Sequence, residues 1–114
     1  MNIIKIYERV TQTTAVDESS FIMYLNETVN ELIGKYRPRY VILPDTVFTE
    51  VESIDDTLNV YDFYAQCITE NIIFLITGDQ NKKMEFINHA QQAYIAVYRE
   101  LGRTRVESQM RSWY

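Results

Sequence analysis

The chain has 114 residues, 46% of them apolar, and a formal charge of −5 from 11 Lys and Arg against 16 Asp and Glu. That length fits one domain, and that apolar content excludes disorder throughout. Apolar runs such as Ile72 to Ile76 fall far short of the roughly 20 residues a membrane-spanning helix needs, and one cysteine excludes an internal disulfide or a cysteine-rich metal site. The opening MNIIKIYERV carries Lys5, Glu8 and Arg9, so it does not read as a signal peptide, and synthesis in a cytosol is expected.

In chain order, Asn2 to about Thr13 places Ile3, Ile4, Tyr7 and Val10 on one face at helical spacing. Asp17 then offers a side-chain cap, with Glu18 suited to the positive end of the helix dipole. A second helix over 18–36 carries a stripe of Phe21, Leu25, Val29, Leu32 and Tyr36, widened by Ile22 and Ile33. Asn26, Glu27, Asn30, Glu31 and Lys35 form its outer surface. Arg37-Pro38 stops it, because proline disfavours helix in the residue before it.

Residues 38–57 change character, with β-branched and aromatic residues around a Pro44-Asp45 turn signal. A long irregular or hairpin-like arm is expected, including Tyr40, Phe48, Glu50 and Glu52. A surface loop packed by its own apolar residues is the alternative. A third helix is expected from Asp56 or Thr57, capped by Asp55 or Asp56, with Tyr61, Tyr64, Ile68, Ile72 and Leu75 at helical spacing and a central, buried end. Gly78 can end it in the left-handed conformation, and Asp79 can cap a fourth helix running antiparallel over 80–101. That helix shows Phe86, Ile87, Ala90, Ala93, Tyr94, Val97 and Leu101 on a broad apolar face. Gly102 is expected to end it. The predicted fold is all-α: an antiparallel bundle of about four helices over 1–101 with the arm at 38–57, then an extended interaction tail over 102–114.

Chemistry finds little purchase in the inventory. His89 and Cys67 are the only histidine and cysteine, and both read as packed side chains. Asp55, Asp56 and Asp62 lack the spacing of a calcium loop, and the scattered Gly34, Gly78 and Gly102 make no phosphate cradle. Glu50 and Glu52 would share a side in a strand, but such pairs are common on exposed hairpins. No catalytic residue, cofactor or metal is expected.

Charge is unevenly distributed. Between Arg39 and Lys82 there is no cation, while Asp45, Glu50, Glu52, Asp55, Asp56, Asp62, Glu70 and Asp79 fall in that interval. The end of the chain, GRTRVESQMRSWY, carries Arg103, Arg105, Arg111, Trp113 and Tyr114, the residue types that most often anchor protein interfaces. If copies lie side by side, the basic end of one can meet the acidic arm of the next, and such contacts close into a ring when the rotation permits. An acidic chain with a cation-free middle opposes nucleic-acid binding over most of its surface.

The run LNVYDFYAQCITENIIFLITGDQNKKMEF, followed by AQQAYIAVYRE and an arginine-rich end closing near a tryptophan, resembles small head–tail connector (adaptor) proteins of tailed bacteriophages. The opening IIKIYERVTQTTAVDESSFIMYLNETVNELIGKYRPRY looks like their two leading helices. The resemblance implies a structural virion protein in the phage neck, forming a ring, dodecameric in that family, between the portal protein and the next neck or tail component. DNA would be passing cargo, with no membrane partner. It also implies that Arg103 to Tyr114 dock on the portal or a neighbouring copy, and that 38–57 is a contacting arm. The competing expectations are a small regulatory or inhibitor module that binds one host protein through the same tail, and, more distantly, a DNA-binding regulator.

Overall fold

The computed structural model describes the backbone of residues 1–111 and the side chains of residues 1–103. The architecture is all-α. Four longer helices, α1 (Ile3–Thr13), α2 (Glu18–Tyr36), α4 (Ala65–Thr77) and α5 (Gln80–Arg111), form the bundle, and a single-turn α3 (Pro38–Val41) sits between α2 and the long loop. No helix among the described residues is long and apolar enough to cross a membrane.

Helix α1 starts where the Asn2 side chain accepts the Lys5 backbone N–H at 3.2 Å. It buries Ile3, Ile6 and Val10. Ile6, rather than Ile4, completes the inner stripe, and Ile4 is exposed. Asp17 caps α2 as expected, accepting from the Ser20 N–H at 3.3 Å. The Ser20 hydrogen bonds hold the Asp17 carboxyl below the usual carboxylate range.

Helix α2 ends at Arg37, whose φ of 72° is a costly conformation for a residue with a side chain. Pro38 opens α3 at the first helical position, where its missing N–H is no loss.

The expected arm is a docked loop. A single antiparallel bridge, Ile42 with Val60, closes its base, flanked by Leu43 N–H donating to the Asn59 carbonyl at 3.0 Å. Val51, Leu58 and Val60 are buried in the core. The loop forms no strand in which Val47 and Val51 would share a face: Val47 is 78% exposed while Val51 is 5% exposed. Asn26, expected on the outer surface of α2, holds this loop. Its amide donates to the Val51 carbonyl at 2.9 Å and accepts the Val51 N–H at 2.8 Å.

The third long helix begins later than its sequence pattern suggests. Asp56 does not cap a helix; its carboxylate accepts the N–H groups of Glu52 and Ser53 at 2.9 and 3.0 Å and shapes a turn. The extended chain through Leu58 and Val60 then feeds apolar side chains inward. A 3-10 turn at Asp62–Tyr64 leads into α4, so Tyr61 precedes the helix. Helix α4 is the central element, with Cys67, Ile68 and Ile72 fully buried, and it packs on α1, α2 and α5. Gly78 ends it with φ 74°, donating its N–H to the Phe74 carbonyl at 2.7 Å. Asp79 then accepts the Asn81 N–H at 3.0 Å at the start of α5.

A polar network ties three helices together. Asn71 on α4 donates to the Thr28 hydroxyl of α2 at 2.9 Å, and Lys83 of α5 reaches both the Asn71 side-chain oxygen at 3.2 Å and Glu31 at 3.0 Å. Thr28 and Asn71 are both buried, so this satisfied network specifies one register among the helices.

Candidate interaction surface

Helix α5 buries Phe86, Ala90, Ala93 and Val97 at intervals of three and four. The inward stripe fades at half-buried Leu101, and Gly102 and Arg103 are exposed. Gly102 does not stop the helix. The helical backbone runs on to Arg111, so Arg103, Arg105 and Arg111 lie on the helix rather than in an extended segment. No positive φ is recorded at Gly102, which separates it from Gly78. At about 1.5 Å per residue, Arg111 stands about 15 Å beyond Leu101 along the axis. Arg103 pairs with Glu100 at 3.8 Å across one turn, an exposed contact worth little by itself. The side chains of Arg105 and Arg111, and all of Trp113 and Tyr114, lie outside the described residues.

The four sequence-predicted arm residues divide into two kinds. Glu50 and Glu52 are exposed on the loop, outside any strand. Tyr40 and Phe48 are half-buried and pack against the core. Tyr40 lies on α3, and its carbonyl accepts the Tyr64 hydroxyl at 2.8 Å. Phe48 helps line an apolar groove of about 610 Å3 with Ile33, Ile42, Val47, Tyr61 and Leu101, where Arg39 and Asp45 supply the charges.

An aromatic cluster that sequence reading did not assemble joins the end of α2, α3 and α5. Tyr36 stacks on Tyr94 with ring centroids 4.9 Å apart, Tyr40 meets Tyr94 edge-on at 5.2 Å, and Tyr98 lies 6.1 Å from Tyr40 and 6.2 Å from Tyr94. The Arg39 guanidinium sits 5.7 Å from the Tyr40 ring and the Lys35 ammonium 5.4 Å from Tyr36. Burial, then the neighbouring Cys67 and Tyr94, raises the Tyr36 hydroxyl. The available signal was two Tyr pairs at i, i+4 spacing, 36/40 and 94/98, on segments whose meeting only the fold specifies.

Cys67 and His89 are packed side chains. The Cys67 thiol donates to the Tyr64 carbonyl at 3.2 Å, and burial, with Glu70 adding to it, pushes the thiol up to about 12. Such a thiol is a poor nucleophile. His89 Nδ1 lies 2.7 and 2.9 Å from the two carboxylate oxygens of buried Glu70, which satisfies both groups. In comparisons with protein-family models, curated proteins and solved structures, none matches this chain.

Proposed function

We propose that this protein is a structural subunit of a bacteriophage neck, a head–tail connector that assembles through the C-terminal part of α5. The observation that carries the reading is the run of helix from Gly102 to Arg111, beyond Val97, the last buried residue of α5 among the described side chains. An isolated stretch of helix gains little stability without a packed face, and the sequence places Arg103, Arg105 and Arg111 on this one with Trp113 and Tyr114 just after. The resemblance of the chain to connector proteins supplies the setting: a ring between the portal and the next neck component, within the virion, with DNA passing through.

In this mechanism the bundle is the rigid wedge. The C-terminal segment of each copy seats on the portal or on a neighbour, where arginines meet carboxylates and the aromatic pair buries apolar area. Contacts of this head-to-tail kind repeat around a closed ring. A net negative surface suits a DNA conduit, because like charge opposes sticking.

Native mass measurement of the full chain over a concentration series, alone and with a portal ring from the same phage, tests this reading. Ring-sized assemblies or stoichiometric binding to the portal ring are expected. A chain that stays monomeric throughout and ignores the portal ring overturns it, and a one-to-one complex with a host protein would instead mark a regulatory module.

A further inference from the structure

The geometry points to a preformed basic-aromatic face at the α2–α3–α5 end of the bundle as the docking surface for the acidic loop segment 50–56 of a second copy of this chain. The inference rests on the assembly reading above and names both halves of one contact in it.

The receiving face is built from residues distant in sequence. Tyr98 is 58% exposed and Ile95 39% exposed on α5, next to the cluster of Tyr36, Tyr40 and Tyr94. Exposed Arg37, Arg39, Arg99 and Arg103 lie on the same elements, with Lys35 against Tyr36. Among the described residues, Glu100 and Asp45 are acids at this end of the molecule. Glu100 pairs with Arg103 and raises the Tyr61 hydroxyl, after burial, by its charge, and Asp45 lies in the groove beside Arg39. The cations outnumber them. An exposed tyrosine among arginines matches the composition of interface anchors. Arg37 holds a positive φ at the rim of this face, a conformation that glycine would adopt more easily.

The complementary surface is the loop. Glu50, Glu52, Asp55 and Asp56 are exposed, in an interval without a single cation. The segment is held in shape from within: Asn26 clamps Val51 from both sides, and Asp56 accepts two loop N–H groups. Both partners are therefore ordered before they meet, which lowers the entropy lost on association. Within one chain the two surfaces sit at different heights. Asn26, which holds the acidic segment, and Tyr36, in the receiving face, are about 15 Å apart along α2 at the rise of an α-helix. A neighbour shifted along the bundle axis brings one copy's acids onto the next copy's arginines. That offset contact is heterologous, as a ring requires.

A charge swap with the full chain tests the contact, read by native mass measurement alone and with portal rings. One variant carries Arg39→Glu and Arg99→Glu; the other carries Glu50→Lys and Glu52→Lys. All four positions are exposed, and circular dichroism melts check that each variant keeps the parent's fold. Each variant alone is expected to associate about tenfold or more weakly than the parent, since each juxtaposes like charges. An equimolar mixture restores assembly, because alternating copies match again at every junction, and raised salt weakens the parent. Either variant assembling like the parent overturns the inference while leaving the connector reading intact. Failure of the mixture to recover also overturns it. So does binding of a single-stranded oligonucleotide by the parent that Arg39→Glu/Arg99→Glu abolishes while self-association is unchanged. A parent that remains monomeric and ignores the portal ring overturns both readings.

Discussion

Cys67 shows how position sets the chemistry of one side chain. An unburied thiol ionises near ~8.5, whereas in the folded chain the proton stays until about 12. Tyr64 is shifted in the same direction, chiefly by burial. Above roughly pH 8.5 the unfolded state therefore binds fewer protons than the folded one, so stability is complete below that pH and declines toward 12. Thermal melts from pH 8 upward should show a falling midpoint, with a shallower fall in Cys67→Ala, and thiol-directed alkylation should require unfolding. Two glycines give opposite expectations. A Cβ at Gly34 meets nothing within 4 Å and its helix gains, so Gly34→Ala should stabilise by about 0.5–1 kcal/mol. At Gly78 the same change forces a side chain to φ 74° and should destabilise by about 1 kcal/mol. Chemical denaturation of both variants checks the pair.

At the scale of elements, helical periodicity and capping made most of the bundle legible. Asp17, Gly78 and Asp79 fall where a terminating or capping residue belongs, and the stripe of α2 is buried as its spacing demands. What escaped the sequence was long-range. Nothing local in Asn26 reveals that it clamps Val51, and nothing local in Asp56 says that it closes a turn rather than opening a helix. Gly102 looked like Gly78, but a glycine stops a helix only where the chain needs the left-handed conformation. Asn26→Ala should remove both clamps and leave the Val51 backbone groups without these partners, at about 1–3 kcal/mol. Hydrogen exchange should accelerate at Val51 first, and over residues 45–56 more than in α4.

Across the whole molecule, the 56 × 28 × 22 Å shape has a long dimension close to the length of α5, about 48 Å for its 32 residues. The candidate surface was half legible. Charge segregation between 40–81 and the C-terminal end is visible in composition, whereas the face around Tyr98 exists only because α2 and α5 converge there. The proposed function separates a bundle that folds by itself from a cationic helical extension that would complete its contacts on another subunit. Native mass measurement of the full chain against a chain ending at Gly102, each paired with a thermal melt, tests that separation most directly. The prediction is that the shortened chain melts cooperatively within a few degrees of the full chain but self-associates far more weakly, through the loop contact alone, and does not bind the portal ring. A shortened chain that unfolds, or one that assembles as the full chain does, would contradict it.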